Sequence, residues 1–142
     1  AISSVSAVLG LRAFDVRRVA LVDPPWFSAE LTSLGVDYFT GQGFSVIHAA
    51  SAGVPSEIRA INPGQLFEWI REQVPAEAGA IYIGGNGLRA VGIIQALEED
   101  LRIPVLTANQ VLLWHLLHLA GTHVPVAGYG RLFERDLPVN AR

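Results

Sequence analysis

Cysteine is absent from the 142 residues, and so are methionine and lysine. Without cysteine there is no disulfide, no thiol nucleophile and no thiolate metal site. Charge is scarce as well: 16% of residues are charged, against about 25% in a typical soluble domain. The net charge is -3, and the ten basic residues are all scattered arginines. That leaves no basic footprint for nucleic acid. No apolar run reaches the roughly 18 residues of a membrane span. The densest stretch, Val111 to Ala120, is interrupted by His115 and His118. The N-terminus carries no signal-peptide pattern, so a cytoplasmic setting is expected. Methionine is missing even at position 1, which points to a processed, trimmed or partial chain.

What is present is apolar surface. Hydrophobic residues make up 51% of the chain, enough to offset the entropy of ordering, so a folded chain is expected rather than a disordered one. The length suits one domain over residues 1–142. The low charge implies that part of the surface is covered by something else.

Helix and strand patterns alternate. Ser3 or Ser4 is placed to cap a first helix with Val5, Val8 and Leu9 on one face. Arg17 to Asp23 reads as a buried strand, stopped by Pro24 and Pro25. Ser28 is positioned to cap a helix bearing Leu31, Leu34 and Tyr38. Phe44 to Ala49 forms a second strand pattern. Asn62-Pro63-Gly64-Gln65 signals a helix start, with Gln65 positioned for a capping box. Ala78 to Gly84 reads as a third strand, and Gly85-Asn86-Gly87 is expected to turn directly into a helix carrying Leu88, Val91, Ile94 and Leu97 inward. Pro104 to Thr107 gives a short fourth strand, Asn109 to Ala120 a last helix, and 121–142 a polar, glycine-containing tail. Strands spaced by helices predict an α/β fold: a four-stranded, mostly parallel sheet with helices on both faces. Ligands of such sheets bind beyond the carboxyl ends of the strands. The segments there are Asp23 to Trp26, Ala49 to Ala52, Gly84 to Gly87 and Thr107 to Gln110.

Among these the Gly84-Gly85-Asn86-Gly87 turn is the strongest local signal. Free amides ahead of a helix favour an anion such as a carboxylate or phosphate. The competing reading is a glycine turn that lets helix and strand pack closely. Gly85 to Ala90 also matches G-x-G-x-x-A, a dinucleotide fingerprint. That fingerprint needs an acid about 20 residues on, where this chain has Thr107-Ala108-Asn109, so nucleotide binding ranks last. His115 and His118 lie three apart on one helix without a carboxylate, which argues against a metal site and for an apolar helix face docking on another subunit. His48 and His123 read as hydrogen-bonded structural histidines. Asp23 sits where active-site acids often do, but it also suits the turn amides before Pro24. Glu98, Glu99 and Asp100 read as a solvated acidic face. Trp26, Trp69 and Trp114 fit a core or an interface.

Four stretches together resemble the C-terminal half of the maleate cis-trans isomerase and arylmalonate decarboxylase family, in the aspartate/glutamate racemase superfamily. They are Ala7 to Val22, Ile83 to Leu101, Pro104 to Trp114 (PVLTANQVLLW) and Gly128 to Phe133 (GYGRLF). The resemblance implies one Rossmann-like half of a two-domain fold with the active site in the cleft between halves. It implies isomerase, racemase or decarboxylase chemistry run by cysteine, with no metal and no organic cofactor. It also implies carboxylate-binding roles for Gly84, Gly85, Asn86, Gly87, Thr107 and Asn109. Gly85 falls on the family's second catalytic cysteine, and Pro25 on its tyrosine. Glycine offers no proton to transfer. The expected function is therefore a small-carboxylate-binding relative without turnover, with Asp23 as the one weak candidate for a replacement acid. An active enzyme assembled with a partner chain is the alternative. Either a homodimer or a partner chain is expected to cover the 111–120 helix through Leu112, Leu113, Trp114, Leu116 and Leu117.

Overall fold

The computed structural model describes residues 1–140. Four strands, β1 (Arg18–Asp23), β2 (Ser45–Ser51), β3 (Ala80–Ile83) and β4 (Val105–Thr107), form one sheet in the order β2-β1-β3-β4. Every pairing is parallel. The helices are α1 (Ser3–Ala13), α2 (Ala29–Gly41), α3 (Pro63–Gln73), α4 (Ile94–Leu101) and α5 (Ala108–Leu119). The sheet separates two apolar layers. Val8, Leu11, Phe39, Val111 and Trp114 pack on one face, so α1, α2 and α5 lie there. Leu66, Ile70, Ile94 and Leu97 pack on the other, beneath α3 and α4. Covered on both faces, β1 buries Val19, Ala20, Leu21 and Val22 in succession. An uninterrupted apolar strand is what that environment requires. Each fully buried aliphatic side chain of this size contributes roughly 1.5–3 kcal/mol.

Several local expectations change. The first helix is capped by Ile2 without a side-chain bond, so Ser3 and Ser4 are not the cap. Val5 is exposed, and the buried run is Ser6 to Leu11 because both the sheet and α5 cover this helix. Ser28 does cap α2, accepting from the Leu31 amide, but Leu31 and Leu34 are exposed and Phe39 carries the packing. Asn62 caps α3 through the Gly64 amide, and Gln65 completes no box. The reciprocal capping box lies at α5 instead, between Thr107 and Gln110.

The acidic run is solvated only in part: Glu99 and Asp100 are exposed, and Glu98 is not. Glu98 is buried; its carboxylate accepts from the amides of Val105 (3.0 Å) and Arg131 (2.8 Å). The tail is thereby held to the sheet, and Leu132 within it is fully buried. Gln110 adds a 2.6 Å bond to the Tyr129 carbonyl. Gly130 has a positive φ of 93°, and a Cβ there would meet Ile94, Gln110 and Glu98 at 3.0 Å or less.

The histidines are also used within the chain. His115 is buried and hydrogen-bonds Ser6 Oγ at 2.9 Å, while His118 contacts the Arg135 carbonyl. His48 departs from expectation too, for its Nε2 is buried without a hydrogen-bond partner. Trp114 is buried and donates to the Arg135 carbonyl, which removes it from the expected dimer surface. Leu113, Leu116 and Leu119 remain exposed on α5.

Candidate functional site

The strand order creates the site. β1 and β3 are neighbours at the centre of the sheet, and the chain leaves β1 toward one face and β3 toward the other. A crevice opens at such a switch point. The register sets Val22 beside Ile83, and the Gly84 amide donates to the Val22 carbonyl at 2.8 Å. Asp23 and Gly84 therefore emerge side by side. A cavity of about 510 Å³ lies there. Asp23 and Gly84 to Gly87 meet Tyr82 of β3 and Tyr38 of α2 around it, with Trp26 at its edge.

Burial governs the titratable groups. It raises the Asp23 carboxyl above its ordinary value, and the nearby Thr32 hydroxyl opposes that shift. The Tyr82 phenol is pushed well above the ordinary range by burial first, then by Asp23 and Tyr38. Both tyrosines line the cavity, where their phenols can meet a polar guest.

The turn itself differs from expectation. No helix starts at Gly87; residues 88–93 intervene, ending in a short 3₁₀ turn, before α4 begins at Ile94. The Leu88 amide closes the turn on the Gly85 carbonyl. The helix start beside the turn is that of α5, whose Asn109 donates to the Asn86 carbonyl at 2.9 Å. Among the described residues the amides of Gly85, Asn86 and Gly87 donate to no protein acceptor. Consecutive free amides of this kind suit an anion.

Of the residues expected to bind carboxylate, Gly84 to Gly87 line the cavity together with Asp23. Thr107 and Asn109 do not line it. The Thr107 side chain is engaged in the α5 cap, and Asn109 braces the turn from behind. Tyr82, Tyr38, Ser3 and Ser4 line the cavity without having been singled out by the sequence pattern. A tyrosine two residues before the turn, in an otherwise apolar strand, was the available signal for Tyr82.

Gly85 is more than a missing side chain. Its φ is +81°, and a Cβ built on it overlaps the Pro24 ring. The segment after β1 thus occupies the space that any larger residue at 85 would need.

The model for arylmalonate decarboxylase matches residues 2–133. The chain belongs to the arylmalonate decarboxylase family. The maleate isomerase of Nocardia farcinica is 30% identical over 142 residues, covering 98% of this chain and 56% of that protein. A maleate isomerase variant from Pseudomonas putida, solved with maleate, superposes with a TM-score of 0.85 at 25% identity, over 95% of this chain and 54% of that one. A crystal structure of arylmalonate decarboxylase has a TM-score of 0.84 at 23% identity, covering 93% of this chain and 59% of that one, and shares the fold. The chain spans about half the length of the relatives it matches.

Proposed function

We propose that this chain binds a small carboxylate at the Gly84 to Gly87 turn and has lost the thiol chemistry of its family. One observation carries the reading: Gly85, Asn86 and Gly87 line the cavity beside Asp23 and their amides have no protein acceptor among the described residues, while Gly85 has neither a side chain nor room for one. The amides answer a negative oxygen. Proton transfer to carbon needs a group of suitable pKa in reach, and no cysteine is present in the sequence to supply a thiol. A relative solved with maleate supports a small dicarboxylate as the class of guest.

The test is proton NMR of the chain with maleate, aspartate and phenylmalonate in deuterated buffer. Ligand line-broadening without isomerisation, decarboxylation or deuterium uptake at carbon is expected. Turnover of any of the three would overthrow the loss of chemistry.

A second reading is favoured by the half-length match and by the exposed leucines of α5. In it, a second copy or a partner chain covers Leu113, Leu116 and Leu119, together with Val5 of the adjoining α1 and Ile2 just before it, and completes an active cleft. Apolar surface of this kind marks interaction sites. Sedimentation should then show a dimer, or a heteromer once the partner is added; a well-behaved monomer that ignores every partner added would sink it.

A further inference from the structure

The cavity at the switch point is poorly matched to an anion in one respect. Among the described residues that line it there is no arginine and no histidine, and the sole side-chain carboxyl is that of Asp23. Tyr82 of β3 lies near both Asp23 and Tyr38, and Tyr38 lines the cavity from α2. The start of α1 brings Ser3 and Ser4 to the cavity. On β2, Ser51 stands opposite Asp23 in register, and His48 opposite Ala20, three residues down the strand. Among the described residues, none of the cavity side chains carries a positive charge. An ionised guest would therefore share the cavity with an ionised Asp23, and two carboxylates in one site do not both stay ionised cheaply.

We propose, on the basis of carboxylate binding at this turn, that the ligand enters the cavity together with one proton, which the ligand and Asp23 then share in an acid–carboxylate hydrogen bond. The proton comes from solvent, and no bond to carbon forms or breaks. Ligand and Asp23 then carry one negative charge between them rather than two. The geometry leaves room for the pairing. Gly84 presents no Cβ, and one built there would lie 3.1 Å from Asp23 Oδ1, so the glycine keeps that side of the carboxyl clear toward the turn. The free amides at 85–87 and the two phenols supply donors for the remaining ligand oxygens. Burial already favours the protonated form of Asp23 before any ligand arrives.

Calorimetry with phenylacetate tests this, because that probe's own carboxyl titrates well below neutrality. Binding is measured in two buffers of different ionisation enthalpy, from about pH 5 to 8, where the linked proton shows as a pH slope. The wild-type chain should take up close to one proton per ligand at the upper end, and its affinity should fall about tenfold per pH unit there. Asp23→Asn places a neutral donor at the same position. It should bind phenylacetate with no proton exchange and a flat pH profile. The carbon-13 shift of the Asp23 carboxyl in the wild-type chain reads the same event without any variant, and should move to the protonated position on saturation.

Binding without proton uptake, or an unmoved Asp23 shift, overturns the shared proton and leaves the carboxylate reading standing. So does proton release with tighter binding at high pH. Silence from phenylacetate overturns the shared proton too; silence from maleate, aspartate and phenylmalonate as well overturns the carboxylate reading with it.

Discussion

Two glycine segments carry family resemblance in this chain, the turn at Gly84 to Gly87 and the tail at Gly128 to Phe133, and they treat their polar atoms in opposite ways. In the tail the groups are committed. The Tyr129 carbonyl is taken by Gln110, the Arg131 amide by Glu98, and the backbone at Gly130 lies where a Cβ would crowd three neighbours. In the turn, the amides of Gly85, Asn86 and Gly87 have no protein partner among the described residues, and they border a cavity. The tail signature is thus a packing device that locks α4, α5 and β4 together. The turn leaves its amides unpaired beside the cavity. Likeness to a family motif reports chemistry only where donors are left unspent.

That contrast predicts effects of different kinds. The largest belongs to the tail. Glu98→Ala strands the buried amide of Val105 and the part-buried amide of Arg131 without acceptors, which should cost roughly 2–5 kcal/mol of stability. Denaturant unfolding would show it as a lowered midpoint, while carboxylate binding by the folded fraction stays unchanged. A stable Glu98→Ala chain would remove the distinction between the two segments. The next effect belongs to the turn. Gly85→Cys supplies the residue type that the resemblance implies at this position, yet the positive φ and the Pro24 ring oppose it. It should cost roughly 2–4 kcal/mol and restore neither isomerase nor decarboxylase activity in a direct assay. A well-folded, active Gly85→Cys chain would mean that the turn is a catalytic loop one substitution from function.

The fold was legible because its signals are local and mutually consistent. Apolar strand runs ended by Pro24 and Gly84, together with the caps at Ser28 and Asn62, were sufficient to predict four strands separated by helices. The site was half legible. Position at the strand ends picked out Asp23 and the Gly84 to Gly87 turn, and the structure brings them together. What the sequence concealed were matters of long-range packing. Glu98 reads as one of three consecutive acids, and only the return of the tail 33 residues later buries it. Trp114 reads as part of an apolar helix face, and only the Arg135 carbonyl shows which side is inward. The clash at Gly85 involves Pro24, a residue far back along the chain, and depends on the β1–β3 register. The supposed helix start at Gly87 failed for a nearer reason: the apolar residues Leu88, Val91 and Ile94 fit a helical stripe, but the backbone closes a turn at Leu88 before α4 begins.

On the proposed function the turn, and not the tail, holds a small carboxylate. The most direct measurement follows the protein's own amide resonances in ordinary water during a maleate titration. The amides of Gly85, Asn86 and Gly87 should shift together and saturate, while those of Gly128, Gly130 and Arg131 stay still. Shifts confined to the tail, or an unmoved turn at saturating maleate, would contradict the account.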